Sequence, residues 1–305
     1  MIIQCAFSSD NNYIQHLGVA ITSLLENNAH NNFVLHFIHN GVHPAKLDML
    51  SAHIQRFTNA TLILYRFKDA PYQHFRLDGH ITLASYFRLF LTDIIPPDVG
   101  RILYLDADIV VLGDVASLWT TDFGDALIAA APEPFSQNNE RLGLSYDYRY
   151  FNAGILLIDL DGWRREGLIA RFVDYVEHNH ARLQWHDQDA LNAVLHELVK
   201  YLDYSWNFQA RTTLAQAAAL LLDAAAFAAL RRRPNIVHFT IDKKPWFYTY
   251  NVPFEAEYLK YLKLTPWRSY VPPDKTAKGW ITRNFPQVQL VFRKFKRLMS
   301  PRRPA

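Results

Sequence analysis

Apolar and polar positions along the chain switch repeatedly between two periods, and the switching predicts strands alternating with helices. Ile2 to Phe7 is a nearly continuous apolar run of strand length, followed by the polar loop Ser8-Ser9-Asp10-Asn11-Asn12-Tyr13 and a helical pattern from about Gln15 to Glu26. The signals then return as a strand at Phe33 to Ile38, a helix near Pro44 to Arg56 and a strand at Thr61 to Tyr65. Further along, the pattern predicts a loop and helix across 78–90, and strands over 101–105, 124–131, 151–160 and 235–239. Helices are expected over about 166–183 and 190–199. Such alternation gives an α/β fold with one mostly parallel central sheet flanked by helices. Ligands of these sheets bind beyond the carboxyl ends of the strands, so the Asp10 loop and the residues after Leu105 are expected at one edge.

Those later residues carry the chemistry. Arg101-Ile102-Leu103-Tyr104-Leu105 runs into Asp106-Ala107-Asp108 and then into Ile109-Val110-Val111-Leu112. A hydrophobic core gives no reason for two carboxylates between apolar runs. Side chains at i and i+2 of an extended chain share a face, so Asp106 and Asp108 point the same way from a strand end. Carboxylates that close repel and lose solvation unless a cation lies between them. Oxygen ligands of this kind suit Mg²⁺ or Mn²⁺, which keep open positions for substrate phosphates. A turn in which both aspartates cap backbone groups is the plainer alternative.

Other polar residues interrupt apolar surroundings in the same way. Arg88, in an apolar helical stretch, needs either an acidic neighbour or a substrate phosphate. Asn152 and Gly154 open the strand over 151–160, Glu133 stands between two prolines, and His238 ends a short strand shortly before Lys244. Asp187 and Asp189 open a helix, where acidic residues are ordinary caps.

Length and composition narrow the class. With 305 residues, 50% apolar and 14% aromatic, the chain can bury a large core as one α/β domain or two smaller ones. Cys5 is the only cysteine and is expected as a buried core residue, which excludes a disulfide framework and fits a reducing compartment. A strand starting at residue 2 leaves no room for a cleavable leader, so secretion is not expected. The apolar run 214–230 is too short to span a bilayer and holds Asp223, so it is predicted to be a soluble helix.

Net charge is +3, but the nine Lys and Arg from Lys275 onward, with no acid among them, leave residues 1–274 at −6. In that tail Val288, Val291, Phe292, Phe295, Leu298 and Met299 fall on one helical stripe, interleaved with Arg293, Lys294, Lys296 and Arg297. The pattern is that of a helix lying in an anionic membrane surface, a reading preferred over nucleic-acid contact or a solubilising tail.

Several common sites are excluded. No Gly-x-Gly pair occurs, which removes the dinucleotide fingerprint and the phosphate loop. No His-Glu-x-x-His occurs, and one cysteine cannot build a thiolate zinc cluster. Phosphates must then be held by a metal and by side chains. Paired aspartates at one strand end and a histidine at another offer three ligands and leave room for two phosphate oxygens, as a pyrophosphate ester requires.

Asp10-Asn11-Asn12-Tyr13, the stretch His80 to Arg88, Tyr104-Leu105-Asp106-Ala107-Asp108, Phe151-Asn152-Ala153-Gly154, Asp187-Gln188-Asp189, His238-Phe239 and Lys244-Pro245-Trp246 follow one another in this order. Together they resemble the retaining glycosyltransferases of family 8, and within them the enzymes that add hexoses to lipopolysaccharide or lipooligosaccharide cores, over about residues 2–270. The resemblance implies a GT-A catalytic domain, here expected over 1–246, then an aromatic and Pro-rich extension over 247–274 and the membrane-associating tail over 275–305. It also implies a UDP-hexose donor, UDP-glucose or UDP-galactose, bound with Mn²⁺ or Mg²⁺.

By that resemblance Asp106, Asp108 and His238 are the metal ligands, Asp10 and Asn12 hold the uridine, and Tyr13 stacks on the uracil ring. Ala107 belongs to the donor site, Arg88, Asn152, Asp187 and Gln188 surround the transferred sugar, and Lys244 neutralises the diphosphate. His80 and Glu133 fall on the acceptor side. Ile241 stands where the family usually has glycine, so a less close backbone approach to the phosphates is expected. Glu133 replaces an expected aspartate, so acceptor choice is expected to differ. Retention of configuration points to same-face attack near Gln188, with Asp187 as the nucleophile of the covalent alternative. A membrane-embedded glycolipid acceptor and the basic tail suggest a cytoplasmic enzyme, peripheral on the inner membrane. A nucleotide-sugar hydrolase or nucleotidyltransferase, or a non-catalytic UDP-sugar-binding peripheral protein, are the rival readings.

Overall fold

The computed structural model describes residues 1–67, 83–134, 138–285 and 287. His80 and the apolar stripe beyond residue 287 lie outside them. Ten strands are present among the described residues: β1 (Ile2–Ser9), β2 (Asn32–His39), β3 (Ala60–Arg66), β4 (Arg101–Leu105), β5 (Ile109–Val111), β6 (Ile128–Pro132), β7 (Phe151–Asp159), β8 (Val199–Tyr201), β9 (Phe208–Gln209) and β10 (Ile236–His238).

Seven of them form the central sheet in the order β3-β2-β1-β4-β7-β6-β8. The β3-β2-β1-β4 neighbours are parallel, as is β6 with β8, whereas β7 runs antiparallel to both β4 and β6. The sheet is therefore mostly parallel, with one reversed strand near its middle.

The middle stretches of the inner strands are apolar because both faces are covered. Along β4, Ile102 and Tyr104 enter the core on one side and Leu103 and Leu105 the core on the other. Helix Ile14–Asn27 packs its Leu17, Ile21 and Leu24 on the second side, where Cys5 is fully buried. Burial raises the pKa of that thiol, so Cys5 is an inert core residue.

A second sheet, β5-β10-β9, stands apart from the first. Antiparallel pairing sets His238 opposite Ile109, next to Asp108 in the chain. The segment after it folds back on the core: Tyr258 of helix Glu255–Leu262 bonds His16 at 2.6 Å, and Tyr261 accepts a bond from Asn27 at 2.6 Å.

Two helical expectations need correction. The run 214–230 is two helices, Leu214–Ala219 and Ala224–Arg232. Leu221 between them takes a left-handed φ of 63°, and the Asp223 carboxylate accepts the Ala226 N–H, so a charge inside an apolar run acts as an N-cap. The helix expected over 166–183 begins after Gly167, which has φ 58°, spans Leu168–His178, and is followed by a separate turn at His180–Arg182. The strand expected from Gly124 starts only at Ile128, and the next helix spans His186–Leu195.

Candidate active site

The ends of β1, β4 and β10, the beginning of β7 and two helical segments converge at one edge of the central sheet. Asp106 follows the carboxyl end of β4, and its N–H donates to the Gly154 carbonyl at 2.8 Å. Because β7 is reversed, its beginning reaches the same edge and delivers Asn152 and Gly154. The end of β10 supplies His238, the loop after it Lys244, and the first turn of helix His186–Leu195 supplies Asp187 and Gln188. Arg88 comes from the 3₁₀ segment Leu83–Phe90.

Arg88 is buried, and acidic neighbours answer its charge. Its Nη2 donates to Asp106 Oδ1 at 2.9 Å, its Nε faces Asp187 Oδ2 at 2.9 Å, and Nη1 donates to the Ala153 carbonyl. The plane of the guanidinium suits this arrangement, with donors diverging toward two carboxylates. The Tyr104 hydroxyl adds a bond to Asp106 Oδ1 at 3.2 Å. Lys244 Nζ holds Asp108 Oδ2 at 2.6 Å and also donates to the Phe239 carbonyl at 2.6 Å.

Each aspartate thus has one oxygen engaged by a protein cation and the other turned to His238. His238 Nε2 lies 3.2 Å from Asp108 Oδ1 and 3.8 Å from Asp106 Oδ2. One ligand atom from each of the three residues falls within 4.8 Å of the others, a spacing suited to a shared divalent ion. Gly154 shapes the same place. A Cβ there would collide with the His238 ring and come within 2.9 Å of Asp106 Oδ2.

The electrostatics separate the carboxylates. Burial alone would raise the pKa of Asp108, but Lys244 and His238 hold it well below the usual carboxylate range. Burial raises that of Asp106 despite Arg88, helped by repulsion from Asp108. Asp187 is pushed up to about 7 by burial, with Arg88 opposing and Asp106 reinforcing the shift.

Two chambers meet at this cluster and share Arg88, Asp106, Asp108 and Lys244. The smaller, about 190 Å³, is also lined by Ser8, Ser9, Asp10, Tyr13 and Ala107. The larger, about 670 Å³, extends past Asn152, Asp187, Gln188 and His238 to Glu133, Arg141, Trp185 and Ile241. Of the described residues given a site role by the resemblance, only exposed Asn12, which lies in the Asp10 loop, lines neither chamber. Asp10 organises that loop, its Oδ1 accepting the N–H groups of Asn12 and Tyr13 at 2.8 and 3.0 Å. Glu133 Oε2 accepts bonds from Asn152 at 3.0 Å and Gln209 at 2.8 Å.

The paired helix-start acids divide. Neither is an N-cap: Trp185 holds that position without a side-chain cap, and Asp189 reaches back to the N–H groups of Gln184 and Trp185 at 2.7 Å and is clasped by Arg141. Asp187 pairs with Arg88 instead. Between them Gln188 Oε1 accepts the Ala153 N–H at 2.9 Å while its amide donates to Tyr150 at 3.2 Å, which fixes its orientation.

Asn207, Gln209, Tyr150, Arg141 and Trp185 were not singled out from the sequence. A partial signal existed for the first two, since Ser205, Asn207 and Gln209 alternate with apolar residues, but the chain is extended only at β9, and Tyr204–Asn207 is a 3₁₀ turn where that period does not set a face.

A sheet-edge cleft that joins paired carboxylates to two chambers defines a group-transfer site. Residues 4–250 match the family model described as Glycosyl transferase family 8, and the chain belongs to that family. General stress protein A of Bacillus subtilis is 32% identical over 280 residues, 89% of this chain and 96% of that protein. A lipopolysaccharide 1,2-glucosyltransferase of Escherichia coli K12 is 26% identical over 287 residues, 89% of this chain and 81% of that one. A crystal structure of the galactosyltransferase LgtC, in complex with donor and acceptor sugar analogues, superposes with a TM-score of 0.75 at 25% identity, covering 89% of this chain and 98% of that one. The fold is accordingly the GT-A fold.

Proposed function

We propose that this glycosyltransferase moves glucose or galactose, with retention, from a UDP-sugar to a lipopolysaccharide core or related glycolipid, using Mn²⁺ or Mg²⁺. The observation that carries the reading is the junction of two chambers at Asp106 and Asp108. In this reading the nucleotide lies beside Asp10 and Tyr13, its diphosphate at the junction, and the sugar in the larger chamber with the acceptor beyond it. Asp106, Asp108 and His238 would hold the ion, which would supply positive charge against the leaving phosphate.

The protein's own groups do the rest. Lys244, fixed at the junction, adds a positive charge where the leaving diphosphate becomes more negative. The carboxylates around Arg88 and the Gln188 carbonyl favour positive charge developing on the sugar. Gln188 is a neutral amide pinned by Ala153 and Tyr150, and Asp187 is locked to Arg88, so neither is presented as a free nucleophile. Attack from the face of the departing diphosphate is therefore favoured over a covalent intermediate. The roles carried by resemblance, uridine contacts for Asp10, Asn12 and Tyr13 and acceptor contacts for His80 and Glu133, belong to the same proposal.

The tail is proposed to rest on the cytoplasmic face of the inner membrane. Helix Ala277–Asn284 supports this reading: Trp280, Ile281 and the adjoining Phe285 are exposed among basic residues. Among the described residues no helix is long and apolar enough to cross a membrane. Deleting residues 279–305 should release the protein from anionic liposomes and spare donor hydrolysis; retained binding would defeat this placement. The reaction itself is tested by UDP release in Mn²⁺ from a panel of UDP-sugars, with and without truncated lipopolysaccharide cores. Acceptor-stimulated release from one donor is expected. Slow release indifferent to every acceptor would point to a hydrolase instead, and no release to a binding protein.

A further inference from the structure

Behind His238 runs a chain of buried amides whose direction is determined at both ends. Glu133 Oε2 takes a bond from Asn152 Nδ2 at 3.0 Å, and a carboxylate can only accept. Asn152 Oδ1 takes the Gly154 N–H at 3.0 Å, and a backbone N–H can only donate. These two contacts leave the Asn152 amide no freedom to flip. Asn207 must then present its NH₂ to Asn152 Oδ1, at 2.8 Å, which turns its own Oδ1 to His238 Nδ1 at 2.9 Å. Asn207 is 1% exposed and His238 4%, so water does not substitute for either partner.

We infer that Asn207 is a positioning residue that keeps the proton of His238 on Nδ1, and so presents the Nε2 lone pair to the space between Asp106 and Asp108. The inference rests on reading those three residues as a divalent-cation site. With the proton on Nε2 instead, two acceptor atoms would face each other at Asn207 in a buried setting. The Nε2–H would also bond Asp108, and that bond would have to break before a cation could enter. Glu133 and the Gly154 N–H set the polarity, and Asn207 delivers it to the ring.

Mn²⁺ binding, read by electron paramagnetic resonance, tests this on wild type, Asp108→Ala, Asn207→Leu and Asn207→Asp. Outer partners of ligating histidines typically alter metal affinity by about 10–100-fold, and that loss is expected for Asn207→Leu. Asn207→Asp keeps an acceptor for Nδ1–H and should retain binding within a few-fold, although it gives up the bond to Asn152. A merely structural role predicts that both variants suffer alike, so equal losses, or wild-type affinity in Asn207→Leu, would overturn the inference. Equal binding by wild type and Asp108→Ala would instead overturn the cation site, and the inference with it. Long-range proton–nitrogen NMR of wild type loaded with diamagnetic Mg²⁺ needs no variant to fold. It should report Nδ1–H for His238, and Nε2–H there would refute the assignment.

Discussion

Lys244 Nζ meets Asp108 Oδ2 at 2.6 Å across 136 positions of sequence, and both side chains are largely buried. The pair closes the wall shared by the two chambers. It is also the only contact through which a lysine faces Asp106 or Asp108 among the described residues.

Replacing Lys244 with Ala should lower kcat about 10²–10³-fold, the usual cost of losing one preorganised charge-stabilising group. The same change removes the lysine that pairs with buried Asp108, and breaking such pairs costs about 3–5 kcal/mol. Initial rates with saturating donor, read beside urea unfolding, separate the two effects. A variant with intact stability and unaltered kcat would remove Lys244 from the reaction.

Asp187 should make the metal-free protein less stable as pH rises from about 4 to 7. Its carboxyl is pushed up to about 7 by burial, while an unfolded Asp titrates near 3.9. Between those values the folded state holds a proton that the unfolded state has released, so unfolding gains in this window and the penalty is complete above it. Below the unfolded value both states are protonated and the term vanishes. Asp187→Asn lacks it, so its stability relative to wild type should climb through the window and then level off. Unfolding midpoints in urea and EDTA at pH 4.5, 6 and 8 would show this; a difference independent of pH would contradict it.

How much of this could be read from residues alone follows from how local each signal is. Asp106 and Asp108 were legible as carboxylates that no core explains, but they converge across the turn between β4 and β5 and not along an extended strand as the period of two predicted. The parallel half of the sheet was legible through strands and helices that alternate. The reversal of β7 was not. A strand buried on both faces has no local mark of direction, although that reversal brings Asn152 and Gly154 to the site. The partnership of His238 with Asp108 depends on β5, β9 and β10, which are only three, two and three residues long, and pairing at that length is decided by tertiary contacts. Arg88 needed a partner by its burial, but only the fold chose Asp106 and Asp187 over a ligand.

Gly154→Ala should impair cation binding without removing any ligand. The added Cβ collides with the His238 ring and crowds Asp106 Oδ2, so His238 must shift or the strand must move. Overpacking of this kind costs about 1–3 kcal/mol. Weaker Mn²⁺ binding in calorimetry, together with a lower unfolding midpoint, is expected. Wild-type Mn²⁺ affinity in this variant would mean that the three side chains do not converge on an ion.

Ile241 holds φ at 65°, in the left-handed region, although it is β-branched and 49% exposed. The backbone thus keeps a conformation that glycine prefers. A left-handed conformation costs an L-residue about 1–2 kcal/mol, and the cost is greatest for branched side chains. Glycine would relieve it while making the unfolded chain more flexible, which returns about 0.5–1 kcal/mol. Ile241→Gly should therefore be stabilising by up to about 1 kcal/mol in urea unfolding, since little apolar burial is lost. The change also opens the wall of the larger chamber beside Lys244, so the KM for donor or acceptor should move while the unfolding midpoint rises. A clear fall in stability would show that the Ile241 side chain packs usefully and that its backbone is not strained.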